Sequence, residues 1–177
     1  TKILIDVGES SKKISSALSS LNIEPNNIDA ILITHEHNDH VKGLGTFAKK
    51  YNVPVYANTK TWDAMPNQAI KIDEKNIKTF TIEENFEIKD LKIHPFKIPH
   101  DAANPCGFNI TYNNQKISIA TDIGHMTSNI AHKLEDSNFI LLESNYDPNI
   151  LKYSAYPYLL KQRIAGPNGH LANSDAG

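Results

Sequence analysis

The segment "ILITHEHNDHVKGLG", Ile31 to Gly45, constrains this chain more than any other. Within six residues it gathers His35, His37, Asp39 and His40, directly after the apolar run "IDAILIT". Such a run is what a strand covered on both faces requires. In extended backbone, side chains two apart leave on one side, so His35 and His37 share a face and Asp39 keeps their parity. His40 comes where the chain turns toward a helix and points elsewhere. A first-row metal takes about four ligands, some of them solvent in a catalytic site. His35 with His37, and Asp39 with His40, are therefore two half-shells.

The other halves are expected downstream. "IPHDA" places His100 at the end of an apolar strand segment, and "SIATDIG" places Asp122 directly after another. "GPNGHLAN" places His170 in a Gly-Pro-rich loop ahead of a helix. Strand ends and loops are where α/β proteins build their sites. The set reads as two shells: His35, His37 and His100 on one ion, Asp39, His40 and His170 on the other, with Asp122 between them. A lone histidine is usually a surface or core residue. That reading suits His94 and His132, whereas His125 stands close enough to Asp122 to support it. Cys106 reads as a small buried apolar residue.

The rest of the chain mixes strands and helices. "KILID" reads as a strand, and "SSKKISSALSSL" as a helix with Ile14, Ala17, Leu18 and Leu21 at helical spacing, capped by Ser10 or Ser11. "VKGLGTFAKKY" gives a short helix, "VPVYA" a strand and "TKTWDAM" one or two helical turns. From Asn76 to Thr121, "IKTFTI", "FEI", "LKIHPFKI", "GFNITY" and "KISIAT" read as an antiparallel group, with Asn113-Asn114 as a turn. "MTSNIAHKLE", "NFILLE" and "YPYLLKQRI" follow as helix, strand and helix. The expected architecture is α/β: two sheets with helices outside. Residues 1–177 are expected to form one domain, truncated at both ends, because the chain opens on a strand and stops as a helix begins.

Composition narrows the chemistry. A formal net charge of −2 excludes binding driven by non-specific phosphate attraction alone. The single cysteine permits no intramolecular disulfide and suits a cytoplasmic location. No apolar stretch reaches the roughly 18 residues of a membrane span.

With these residues assembled, "THEHNDH" resembles the HxHxDH signature of the metallo-β-lactamase superfamily, and His100, Asp122 and His170 fall in order on its later ligand motifs. The resemblance implies a four-layer αββα sandwich with a dinuclear metal site. "LIDVG" resembles the strand before the signature and implies that Asp6 orients a ligand histidine. "YNVPVYANTKTWDAM", "IPHDAANPCGF", "ATDIG", "LLESNYDP", "YPYLLKQRI" and "GHLAN" resemble the YycJ/WalJ-type bacterial exonucleases over essentially the whole chain. Where family members often read Asp-Thr-Gly, this chain has Asp122-Ile123-Gly124, so the aspartate is retained. Members continue past the "GHLxN" motif with a helix and a strand, which this chain lacks.

The resemblance implies a metal-dependent hydrolase, a phosphodiesterase acting as a 5′-to-3′ DNA exonuclease, with two divalent ions (Zn, Mn or Fe) sharing an activated solvent molecule. Asp39 would orient that solvent or take its proton. Lys42, Lys161 and Arg163 are candidates to steer phosphate, and Asn145 and Tyr146 to wall a substrate groove. The alternative is a thioester, lactone or β-lactam hydrolase, which the same ligands would serve. A non-catalytic binding protein and an iron redox protein are the remaining readings. The first does not account for all seven candidate ligands, and the second lacks an electron-transfer module.

Overall fold

A computed structural model describes all residues, Thr1 to Gly177. The chain forms two compact units. Residues 1–91 with 102–104 make the first, and residues 92–101 with 105–177 the second. No helix is long and apolar enough to cross a membrane.

The first unit is built on a parallel sheet in the order β1-β2-β3-β4. Its strands are β1 (Ile3–Ile5), β2 (Ala30–Leu32), β3 (Val55–Asn58) and β4 (Ile77–Phe80). The central β2 is buried at every residue, as its apolar run requires. Ile31 and Ile33 join Val55, Val41, Leu44 and Phe47 in the unit's core. α1 (Ser11–Ser20) is capped by Ser10, whose side chain accepts from Lys13 N at 3.4 Å. It adds Leu18 and Ile14 to that core. Ala17 faces solvent, and Leu21 is the C-terminal cap, 68% exposed, so only two of the four spaced apolar residues pack inward.

After β2 the expected single helix is two. α2 (Asn38–Val41) and α3 (Leu44–Tyr51) are separated at Lys42-Gly43. Gly43 N donates to Val7 O at 2.9 Å, which draws this break onto the loop after β1. Asp39 lies in the first turn of α2, so the extended parity that relates His35 to His37 ends before it. α4 (Thr59–Ala64) follows β3. β4 pairs parallel with β3 and is not part of the antiparallel group. β5 (Phe86–Ile88) presents Phe86, which stacks on Tyr56 and on Phe80.

The second sheet runs β5-β6-β7-β8-β9. Its further strands are β6 (Leu91–Lys97), β7 (Cys106–Tyr112), β8 (Gln115–Ala120) and β9 (Phe139–Leu142). β6, β7 and β8 are antiparallel neighbours, and β9 adds in parallel. Asn113 and Asn114, at φ 45° and 64°, make the tight β7–β8 turn, as a two-residue hairpin with both central residues left-handed demands. α5 (Ser128–Leu134) returns the chain from β8 to β9 and packs Ile130 and Leu134 against Phe96, Ile98 and Ile123. Beyond β9 come α6 (Pro148–Tyr153), α7 (Tyr158–Ile164) and α8 (Asn173–Ala176). α6 was not read from sequence; it starts at Pro148 with Asp147 capping it through Asn149 N and Ile150 N.

Gly8 shows how tightly the β1 loop seats on α2. A Cβ there would stand 1.6 Å from Asp39 O. Gly8→Ala should therefore destabilise the first unit by about 2–3 kcal/mol through overpacking, or roughly 4–12 °C in Tm for a chain of this length. A calorimetric Tm within 1–2 °C of wild type would show that the loop yields freely.

Candidate metal centre

In the first unit, the histidine cluster is ordered by one carboxylate. Asp6 follows β1 with φ 59°, a left-handed conformation that aspartate tolerates better than most residues. Its Oδ1 accepts from Thr34 N at 2.9 Å, and its Oδ2 from Thr34 Oγ1 at 2.7 Å. Oδ2 also lies 2.8 Å from His40 Nδ1. The hydroxyl proton of Thr34 is spent on Asp6, so Thr34 Oγ1 accepts from His35 Nδ1 at 3.0 Å. Both rings thus carry their proton on Nδ1 and turn Nε2 away from the network.

The Nε2 edges face further polar groups. His35 Nε2 stands 3.0 Å from His37 Nδ1, and the ring centroids are 4.6 Å apart. His40 Nε2 is 3.7 Å from Asp39 Oδ2. His35 is fully buried, whereas the Asp39 side chain is 81% exposed and projects toward solvent. With the His35 proton on Nδ1, His35 Nε2 can accept from His37 Nδ1, and both nitrogens are atoms able to ligate a metal.

The second unit repeats the device. His100, buried after β6, places Nδ1 at 3.0 Å from Gly169 O. Asp101 Oδ1 is 3.4 Å from His100 Nε2. Asp122 sits after β8 with φ 56°. His170 Nδ1 is 2.7 Å from Glu143 Oε1 and 3.5 Å from Asp122 Oδ1. Asp122, Glu143 and His170 are close enough to hold one ion among them. Glu143 is nonetheless heavily engaged. Its Oε2 accepts from Ile123 N at 2.7 Å and Leu171 N at 3.1 Å, and its Oε1 also accepts from Asn145 Nδ2 at 3.1 Å. A carboxylate so occupied is better placed to orient His170, as carboxylates behind metal-binding histidines do, than to bind an ion itself.

Glu143 was missed in sequence. It ends the apolar segment "NFILLE", as Asp122 follows "SIA", and a strand-end acid beside known candidates was the available signal. Asn145, expected in a groove wall, turns its amide onto Glu143. Tyr146 is half-buried beside Ala172, and burial pushes its phenol above the ordinary range. Arg163 Nε lies 2.5 Å from Asp101 Oδ2, so its charge holds the residue next to His100. Lys161 Nζ donates to Lys152 O at 2.8 Å. Lys42 follows α2 as its C-terminal cap. His125 bonds Pro167 O through Nδ1, His94 contacts Lys133 Nζ, and His132 pairs with Glu135.

Residues 1–176 match the beta-lactamase superfamily domain. The chain belongs to that superfamily. Its superfamily relatives include the exodeoxyribonuclease WalJ of Streptococcus pneumoniae serotype 2, 39% identical over 98% of this chain. The exodeoxyribonuclease YycJ of Bacillus anthracis is 37% identical over 99% of it. The chain spans 65% and 66% of the lengths of those two proteins. Among solved structures, Zn²⁺-bound PqqB of Methylobacterium extorquens superposes with a TM-score of 0.74 at 16% identity, covering 96% of this chain and 64% of that one. The metallo-β-lactamase fold protein YhfI of Bacillus subtilis gives 0.68 at 18% identity, covering 98% and 67%. The chain thus has the metallo-β-lactamase fold, with two sheets and flanking helices. Family membership and the clustered imidazole and carboxylate donors together support divalent metal binding.

Two outcomes follow from the hydrogen bonds behind the histidines. Asp6→Asn should lower affinity for Zn²⁺ or Mn²⁺ by about 10–100-fold while leaving the fold intact, measured by competition with a chromophoric chelator; unchanged affinity would show that Asp6 does not set the rings. The second concerns pH. The hydrogen bond to Glu143 raises the His170 pKa above its ordinary value of 6.5, against the opposing effect of burial. The charged pair then stabilises the metal-free protein fully below pH 6.5 and loses that contribution as pH rises through the raised value. The Tm deficit of Glu143→Gln should be larger at pH 6 than at pH 9, and a deficit that does not shrink with pH would contradict the pairing.

Proposed function

We propose that residues 1–177 act as one metallo-β-lactamase-fold domain that hydrolyses phosphodiesters with two divalent ions, as a 5′-to-3′ DNA exonuclease. The observation that carries the reading is the repeated pinning of Nδ1: on Thr34 for His35, Asp6 for His40, Gly169 O for His100 and Glu143 for His170. Four rings held through Nδ1 turn Nε2 toward neighbouring imidazole and carboxylate groups, the tautomer and orientation that metal-binding histidines use. The names of the two relatives that match nearly the whole chain favour DNA over the thioester, lactone and β-lactam substrates of the alternative.

In this reading His35, His37 and His100 hold one ion, Asp39, His40 and His170 the other, and Asp122 lies between them. Bound divalent ions would acidify water and neutralise the negative charge of a phosphodiester in its transition state. The chain's own contribution is preorganisation. Asp6 and Thr34 hold two imidazoles in one unit, and Glu143 and Gly169 O hold two in the other. Asp39, the most exposed carboxylate of the set, is suited to orient the attacking water or to receive its proton. Arg163 keeps Asp101 beside His100. A single buried thiol, Cys106, suits action in the reducing cytoplasm.

The test is a substrate panel. Metal-loaded protein with Mn²⁺ or Zn²⁺ is given 5′-labelled duplex DNA, nitrocefin and a glutathione thioester. DNA should be degraded, and His37→Ala should slow it by at least about 100-fold, the scale on which losing a preorganised group costs rate. Turnover of only the thioester or the lactam would replace this reading with the alternative.

A further inference from the structure

The helices after β9 carry an aromatic cleft that the metal chemistry leaves unused. A cavity of about 480 Å³ opens between α6 and α7, walled by Tyr146, Leu151, Lys152, Tyr156, Tyr158 and Lys161. Four of the chain's seven tyrosines fall between positions 146 and 158. Tyr153, Tyr156 and Tyr158 are 79%, 55% and 72% exposed, so they are not held there by a core. Aromatic faces left in water at this density mark a binding surface.

The charge around them selects the occupant. The lining residues include two lysines and no carboxylate. Residues 146–165 hold Lys152, Lys161 and Arg163 against Asp147 alone, a local balance of 3 − 1 = +2 in a chain of net charge −2. Arg163 is paired with Asp101, and the cationic side chains that line the cleft are Lys152 and Lys161. Lys152 Nζ lies 5.3 Å from the centroid of Tyr153, beside the cleft, and Lys161 Nζ donates to Lys152 O at 2.8 Å, which sets the two lysines side by side. Gln162 Nε2 donates to Tyr158 Oη at 3.0 Å and steadies that ring. Flat apolar faces alternating with cations match a polymer whose bases stack and whose phosphates are anionic. A duplex hides its base faces, so only unpaired bases can use them.

We propose that this cleft binds unpaired bases of a single-stranded nucleic acid, with Tyr156 and Tyr158 as stacking faces and Lys152 and Lys161 as phosphate contacts. The substrate class deepens the nuclease reading and rests on it. An overhang or freed strand held here would be gripped by its bases, without regard to their sequence.

The test measures anisotropy of a fluorescein-labelled, phosphorothioate-linked dT12, which resists cleavage, with Mn²⁺-loaded protein. A blunt 12-base-pair duplex is the comparison. Replacing both tyrosines (Tyr156→Ala, Tyr158→Ala) should weaken dT12 binding at least about tenfold and change duplex binding less than about twofold. The double Tyr→Phe variant should retain the affinity, since stacking needs the ring and not the hydroxyl. Lys152→Gln with Lys161→Gln should flatten the salt dependence by about two phosphate contacts. Equal binding by wild type and the alanine variant would overturn the proposal, as would attachment to anionic phospholipid vesicles with none to dT12. DNA degradation with tyrosine-independent binding sinks the cleft and leaves the nuclease standing. Tyrosine-dependent binding with no degradation does the reverse.

Discussion

Three hydrogen-bond donors converge on the carboxylate of Asp6, and the order of the first histidine cluster depends on them. Thr34 contributes its N–H and its hydroxyl, and His40 its Nδ1 proton. Because the hydroxyl donates to Asp6, its oxygen must accept from His35, so one side chain fixes two tautomers. Charge-assisted bonds of this kind contribute about 1.5–3 kcal/mol each, enough to hold a ring against rotation. Glu143 repeats the arrangement with different parts. It collects two backbone N–H groups, a side-chain amide and the Nδ1 proton of His170. The orientation of the histidine rings in this chain is thus set by two carboxylates, Asp6 and Glu143.

How much of this could be read beforehand follows from how local each signal was. His35, His37, Asp39 and His40 were legible because one strand and one turn bring them together within six residues. Even there the parity argument held only for the two residues that stay extended; Asp39 is already helical. Asp6 came from resemblance and could not have come from spacing, since a lone acid after three strand residues has many ordinary uses. Glu143 was passed over for the same reason. Its role rests on backbone N–H groups 20 and 28 positions away, which no short window contains.

Topology divided in the same way. The strands themselves were marked by apolar content, but β4 was grouped with its sequence neighbours and pairs instead with β3. Strand partners are fixed by the parallel crossover through α4, a non-local choice. The break between α2 and α3 was hidden too. Its cause is contact with the β1 loop, where Gly43 N meets Val7 O. A short helix such as α6 carries little amphipathic signal because only Leu151 packs inward while Ile150 and Tyr153 are 73% and 79% exposed.

Asp6 and Asp122 share one further property, the left-handed backbone at φ 59° and 56°. Aspartate, asparagine and glycine accept that conformation most readily, although Glu83 and Lys89 also adopt it in this chain, at φ 69° and 53°. Each of the two positions thus combines a carboxylate with a left-handed turn. Glutamate, the exchange that preserves charge, satisfies only the first demand, while asparagine satisfies only the second. Retuning the histidine orientation in this scaffold is freer at Thr34 and Glu143, neither of which has a left-handed backbone.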